Sequence, residues 1–262
     1  MSDAGVAFAI MCKAPQAGAS KTRLCPPLTA DEAAELSRCF ITDVAAVIAG
    51  LPIAAGRVLV FTPAGAGPEL RSLAPGFQLM AQRGDNLASR LMAATEDLFD
   101  AGYQHVYLLN SDSPTLPGSI LGQAVAALSQ PGDRVVLGPA IDGGYYLIGL
   151  KRAHAGLFHN IAWSTGQVLG QTMAAAAQLR LPVMLLPLWY DVDEPAALRL
   201  LLCELFGAEP FLTAGGSAAD HTRHYLRQLL GDPGAERLGF TPPVEGDGGS
   251  SAQAGSQGRR RD

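Results

Sequence analysis

Short runs of β-forming residues recur at 6–12, 57–61, 104–110, 134–137 and 182–188, and stretches of helical periodicity separate them. This alternation constrains the fold more than any other feature, because strands joined by crossover helices run parallel and have both faces covered. The expected architecture is α/β, a mostly parallel central sheet flanked by helices. A first helix is signalled by the capping box Thr29-Ala30-Asp31-Glu32, carries Leu36, Phe40, Val44 and Val47 or Ile48 along one face, and stops at Gly50 before Pro52. A second is expected over 87–101, capped by Asp85 or Asn86 and closed by Gly102, and two more follow Ser164-Thr165 and Pro195.

At 262 residues the chain suits one α/β domain, over 1–240, plus a tail. From 241 to 262, Pro, Gly, Ser, Gln and Arg replace apolar residues, a composition that cannot offset the entropy of ordering, so this segment is expected to be disordered. Its Arg259-Arg260-Arg261 triplet reads as a solvated charge run. No apolar run reaches the roughly 18 residues of a membrane span, and the first residues lack a secretory pattern, which points to a cytoplasmic protein. Cys12, Cys25, Cys39 and Cys203 have neither metal-ligand spacing nor disulfide density. A net charge of -5 argues against nucleic acid as a partner, but a local basic loop can still bind a small polyanion.

Such a loop follows the first strand, where Lys13, Lys21 and Arg23 surround Gly18. Lysine supplies a compact charge, arginine a fork of donors for phosphate oxygens, and the glycine lets the backbone approach closely. The loop is not a Walker A motif, since Pro15 and Ser20 fill its two glycine positions. Asp112, within Asn110-Ser111-Asp112-Ser113-Pro114, comes just past another strand, where ligands bind in open parallel sheets. A turn or cap competes with metal binding there. Asp191 and Asp193 follow the final strand, and period two sends them to one side, so either could join Asp112. Asp193 could equally cap the helix at Pro195. One or two carboxylates are enough for Mg²⁺ when phosphates and water complete its shell, which makes Asp112 and Asp193 the candidate pair.

Asp142-Gly143-Gly144-Tyr145-Tyr146 is either a hairpin turn or a site for a hydroxyl-bearing substrate. His221 and His224 lack a third ligand nearby in sequence and read as surface or core histidines. The absence of a Gly-x-Ser-x-Gly elbow argues against a serine hydrolase of the α/β type. Gly65-Ala66-Gly67 lacks the third glycine of the dinucleotide fingerprint, which argues against a nicotinamide enzyme.

In order and spacing, seven motifs together resemble one bacterial family over residues 5–206: Lys13-Ala14-Pro15, Lys21-Thr22-Arg23-Leu24, Gly84-Asp85-Asn86-Leu87, Ser111-Asp112-Ser113-Pro114, Asp142-Gly143-Gly144-Tyr145-Tyr146, Trp163-Ser164-Thr165 and Asp191-Val192-Asp193. Its members are glycosyltransferase-A (GT-A) fold transferases labelled as radical-SAM-associated or arsenosugar-biosynthesis glycosyltransferases, related to molybdenum-cofactor and 2-phospholactate guanylyltransferases. The resemblance implies a GT-A, or nucleotide-diphospho-sugar transferase, fold and a metal-dependent transferase using an activated nucleotide. It implies that Lys13, Gly18, Lys21, Thr22, Arg23 and Asp85 bind the nucleotide and that Asp112 and Asp193 hold Mg²⁺ or Mn²⁺. Asp142, Gly143, Gly144 and Tyr145 would meet the substrate, and Asp112, Asp142 and Lys21 are the catalytic candidates. Two positions depart from the pattern: Asn110 stands for the first acid of the glycosyltransferase Asp-x-Asp, and Glu194 for a Thr before Pro195. The leading donor is a nucleotide sugar, with a small-molecule acceptor. A nucleoside triphosphate giving nucleotidyl transfer is the alternative, and a non-catalytic nucleotide-binding module the third reading.

Overall fold

The alternation is realised as β1 (Val6–Lys13), α1 (Ala30–Ala49), β2 (Gly56–Thr62), α2 (Gly67–Leu70), β3 (Gln78–Ala81), α3 (Leu87–Asp100), β4 (His105–Asn110) and α4 (Gly118–Ser129). Then come β5 (Val135–Pro139), β6 (Tyr145–Leu150), α5 (Val168–Gln178), β7 (Val183–Leu185), α6 (Pro195–Phe206), α7 (Asp220–Leu229) and α8 (Gly234–Leu238). The structure, a computed structural model, describes residues 5–207, 215–231 and 234–240, so the tail expected at 241–262 lies outside the described residues.

The seven strands form one sheet in the order β3-β2-β1-β4-β6-β5-β7. All neighbours are parallel except β6, which runs antiparallel to both β4 and β5. The chain leaves β1 toward β2 and β3, then returns to place β4 on the other side of β1. That reversal opens a crevice at the carboxyl ends of β1 and β4, which is where open α/β sheets bind ligands.

Period two divides the strand residues between two cores. Phe8, Ile10, Leu59 and Tyr107 face the side covered by α1, α4, α6 and α7, where Leu36, Phe40, Ile120, Leu198 and Leu226 meet them. Ala7, Ala9, Val58, Val60, Val106 and Leu108 face the side covered by α3 and α5, through Leu91, Leu98 and Ala176. Burial on both faces accounts for the unbroken apolar runs that mark these strands in the sequence.

The Thr29–Glu32 capping box is present, with Glu32 N donating to Thr29 Oγ1 at 3.2 Å and Thr29 N to Glu32 Oε2 at 2.7 Å. Helix α3 begins as expected, capped by Asn86, with Ser89 completing the reciprocal pair. Asp142-Gly143 forms a hairpin turn, which joins β5 to antiparallel β6. Gly143 has φ +86°, and a Cβ there would meet the Gly166 carbonyl at 2.3 Å, so both conformation and space demand glycine.

Elsewhere the structure departs from expectation. The strand expected over 182–188 is only Val183–Leu185, since Pro187 has no N–H to continue the ladder, and Trp189 rejoins through a single bridge to Ala140. Strand β3 has four residues and no β-branched side chain, and α4 starts behind Pro117 without a side-chain cap, so neither announces itself. Helix α7 also lacks a local cap: Ala219 at its start is left-handed, with φ 45°. Its first amides instead donate to Asp43 of α1, His221 N to Oδ1 at 3.1 Å and Thr222 N to Oδ2 at 2.8 Å, and Asp43 is 3% exposed.

Candidate functional site

The loop leaving β1 is pinned by Ser20, whose Oγ donates to the Ala14 carbonyl and accepts from Gln16 N, both at 3.0 Å. Serine at a Walker A glycine position thus shapes this loop by hydrogen bonds. Gly18 serves the turn through its φ of +72°, and not a close approach, because a Cβ there would meet nothing within 4 Å. Lys13 Nζ donates to the Ala19 carbonyl at 2.9 Å from an exposed position. The chain then takes left-handed geometry at Lys21, φ 50° and ψ 34°, before one 3₁₀ turn, Thr22–Leu24. A non-glycine residue held there is strained, and the surroundings must hold it.

Lys21 is held by three acceptors. Its Nζ lies 2.6 Å from Asp112 Oδ1, 2.7 Å from Asp193 Oδ1 and 3.0 Å from the Val192 carbonyl, and its side chain is 6% exposed. An ammonium has three protons, so each has a protein acceptor. The Phe40 ring sits 5.4 Å below the same nitrogen. Burial works against the charge, but Asp112 and Asp193 outweigh it and hold the Lys21 pKa above its ordinary value. Arg23 donates to the other oxygen of Asp193, Oδ2, at 2.8 Å and to Glu194 Oε1 at 3.2 Å. Burial pushes the Asp193 carboxyl up, yet Lys21 and then Arg23 prevail and leave it below the usual carboxylate range. Asp193 does not cap α6: Glu194 occupies that place, without a side-chain cap bond, and turns to Arg23.

Asn110 explains its own departure from an acid. Its side-chain oxygen accepts from Asp112 N at 3.1 Å and Ser113 Oγ at 3.2 Å, a task that needs an acceptor and no charge. Asp112 Oδ1 also accepts from Ser111 Oγ at 3.1 Å. The two acid-bearing loops are tied by backbone, Val192 N donating to the Asp112 carbonyl at 2.8 Å. Asp191 lies outside the candidate metal pair yet belongs to the cluster. Burial first, then the charges of Asp142, Asp193 and Asp112, push its carboxyl up to about 7. Asp142 Oδ1 accepts from Gly144 N at 2.8 Å, an interaction within its own turn. Tyr145 is committed to the second core, edge-on to Trp163 at 6.3 Å.

A cavity of about 330 Å³ opens over these groups, and Lys13, Lys21, Thr22, Arg23, Asp112 and Asp193 line it. Gly18, Asp85 and the 142–145 turn stand outside that lining, Asp85 exposed just ahead of the Asn86 cap. Gln82 and Arg90 are among the lining residues that the sequence does not point to. Gln82 bridges the ends of β1 and β2, donating to the Cys12 and Val60 carbonyls at 3.0 Å each. Arg90, in the first turn of α3, donates through Nε to the Gly84 carbonyl at 3.0 Å. Its only sequence signal is a cation placed against the usual acidic preference of a helix start. Cys12 also lines the cavity, but burial and then the Asp112 charge push its thiol up to about 12, which leaves it unreactive.

Among the described residues no group of three or more His, Cys, Asp or Glu side chains is arranged to hold a metal ion. A nucleotide-bound Mg²⁺ needs fewer: one or two carboxylates suffice, and Asp112 and Asp193 offer the hard oxygens it prefers. The pair fits such an ion in chemistry, while Lys21 stands between the two oxygens that face each other.

Residues 51–165 match a family model described as an uncharacterized protein conserved in bacteria (DUF2064). A solved structure from Desulfovibrio desulfuricans G20, described as a "putative nucleotide-diphospho-sugar transferase", superposes with a TM-score of 0.75 at 29% identity, covering 90% of this chain and 96% of the other. More distantly, a CMP:2-keto-3-deoxy-manno-octonic acid synthetase complexed with CTP matches at TM-score 0.51 and 11% identity, over 75% of this chain and 96% of that one. A cytidylyltransferase from Leptospira borgpetersenii serovar Hardjo-bovis gives the same score and identity over 86% and 95%. No curated protein matches in sequence. No helix among the described residues is long and apolar enough to cross a membrane. The chain has the nucleotide-diphospho-sugar transferase fold and is an enzyme of the transferase class.

Proposed function

We infer that this protein transfers a group from an activated nucleotide, and that the group is the sugar of a nucleotide sugar, passed to a small-molecule acceptor. One observation carries the reading: at the reversal of strand order, the cations Lys13, Arg23 and Arg90 line the same cavity as Asp112 and Asp193. A diphosphate linkage is the ligand that satisfies both sets. Arg23 is 61% exposed and its fork retains donors beyond those given to Asp193 and Glu194, so it is the foremost phosphate ligand. Lys13 and Arg90 flank it, and Thr22 adds a hydroxyl. In glycosyl transfer the bond from the sugar carbon to the diphosphate oxygen breaks, one to the acceptor oxygen forms, and the acceptor proton passes to solvent water. The cations stabilise the negative charge gathering on the departing diphosphate. Mg²⁺ or Mn²⁺, held by Asp112 and Asp193, would supply further neutralisation of those oxygens. Asp142, on the hairpin turn, is the candidate to orient the sugar or acceptor, its charge being among those that act on Asp191 of the acid cluster.

Nucleotidyl transfer is the second reading, favoured by the number of cations, because a triphosphate brings more negative charge than a diphosphate sugar. There an acceptor phosphate oxygen attacks the α-phosphorus and pyrophosphate leaves. Thermal-shift and calorimetric titrations with nucleotide sugars and nucleoside triphosphates, with and without Mg²⁺, test the proposal. A ligand at 100 times its dissociation constant stabilises by roughly 2.7 kcal/mol. Binding of a nucleotide sugar, with nucleoside diphosphate released on turnover, supports glycosyl transfer. Binding of triphosphates alone, with pyrophosphate released, replaces it with nucleotidyl transfer, and binding of neither overturns both.

A further inference from the structure

We propose that Lys21 is the resident cation of the Asp112–Asp193 pair, and that a divalent metal enters between these carboxylates only as Lys21 leaves. The inference deepens the nucleotide-donor reading and rests on it. The Lys21 side chain is 6% exposed, against 61% for Arg23, and its three protons are already divided between Asp112, Asp193 and the Val192 carbonyl. No proton remains for a phosphate oxygen unless one of these contacts breaks. Asp193 is equally committed, one oxygen to Lys21 and the other to Arg23. Among the described residues, none donates to Asp112 Oδ2, which leaves that oxygen as the first point of attachment for an incoming ion. A metal bound to both acids would compete with Lys21 for Asp193, whose other oxygen Arg23 already holds, and it would bring two positive charges beside the ammonium. One cation or the other can be seated there.

A phosphorylated donor resolves the competition. Its oxygens offer the Lys21 ammonium new acceptors within the same cavity, while the metal that travels with those phosphates replaces the lysine charge between the acids. The left-handed backbone at Lys21 supports this exchange, since a strained conformation held by side-chain contacts is released when the contacts change partners. Lys21 therefore acts as a positioning residue that couples metal binding to donor binding. The empty enzyme keeps its acids paired and does not collect a free metal ion.

Mn²⁺ binding to the full chain, followed by electron paramagnetic resonance and calorimetry without nucleotide, tests the exchange directly. The wild type should bind Mn²⁺ weakly, Lys21→Met at least roughly tenfold more tightly, and Lys21→Met/Asp112→Asn no better than the wild type. Circular dichroism checks that each variant is folded. If Lys21→Met folds only when Mn²⁺ is present, the metal has taken the vacated seat and the proposal stands. If the variant does not fold at all, the wild type decides: its Mn²⁺ affinity should rise when a nucleoside diphosphate is added. Equal Mn²⁺ affinity in wild type and variant, tight binding by the nucleotide-free wild type, or a wild-type affinity indifferent to nucleotide would each overturn it. The first two outcomes involve no nucleotide, so they condemn the exchange and leave the donor reading intact. A wild type that binds neither nucleotide sugars nor triphosphates condemns the donor reading instead.

Discussion

Replacing Lys21 by methionine keeps an unbranched apolar stem and removes the ammonium, together with its contact over the Phe40 ring, which isolates the electrostatic part of the site. Three hydrogen bonds disappear, and the Asp112 and Asp193 carboxylates are left facing each other. Removing one member of a buried ion pair costs about 3–5 kcal/mol, because the remaining charge is uncompensated. Asp112 and Asp193 are 28% and 32% exposed and keep part of their hydration. The expected loss at pH 7 is therefore nearer the low end, about 2–4 kcal/mol. In a domain of this size that lowers the melting temperature by roughly 4–16 °C.

Urea unfolding followed by circular dichroism measures the loss, provided the slope is unchanged. Its pH dependence identifies the cause. Asp193 titrates below its ordinary value in the fold, so its contribution is present above the unfolded carboxylate range, near pH 4, and is lost as pH falls through the lowered folded value. Lys21 titrates above its ordinary value, so its contribution is complete below the unfolded lysine range, near pH 10.4, and is lost as pH rises through the raised folded value. The gap between wild type and variant should be flat from roughly pH 5 to 10 and close at both ends. A loss below about 1 kcal/mol, the scale of an exposed pair, or one that keeps its full size at pH 3, would refute the buried-cation account.

Arg23→Ala should weaken binding of the preferred nucleotide by about 1.5–3 kcal/mol in calorimetry, the scale of hydrogen bonds to a charged group, and an unchanged dissociation constant removes Arg23 from the phosphate site. Asp43→Ala strips two amides of α7 of their acceptor in a buried setting, so unfolding stability should fall by about 2–4 kcal/mol, with Asp43→Asn recovering part of it. Equal stability of all three proteins would show that α7 is not capped from α1. Gly143→Ala must adopt φ +86° and push against the Gly166 carbonyl, so a loss above about 1 kcal/mol in urea unfolding is expected, and a neutral result would disprove the contact.

The layered fold was readable wherever a local rule operates. Strands buried on both faces must be apolar throughout, and the Thr29–Glu32 box marks a helix start from four adjacent residues. Strand β3 and helix α4 were not legible, because a short edge strand without β-branched residues and a helix entered from Pro117 leave no local signature. Helix α7 shows the same limit in a sharper form. Its cap, Asp43, lies 178 residues from His221, beyond the reach of any pattern in a window.

The candidate site divides along that line. Placement of Lys13 and Asp112 at strand ends, and of Lys21, Arg23 and Asp193 in the segments that follow strands, comes from the sequence by itself, since apolar runs end where the chain turns out of the sheet. So does the turn at Asp142-Gly143. The partners of these groups were decided only by the tertiary structure. Strand order brings the loop after β1 against the segment before α6, and a buried ammonium takes whatever acceptors the packing supplies. For Lys21 those acceptors are two carboxylates and a carbonyl. The Asp191 carboxyl is likewise governed by burial and by charges converging from Asp142, Asp193 and Asp112, a convergence in space that has no counterpart along the chain.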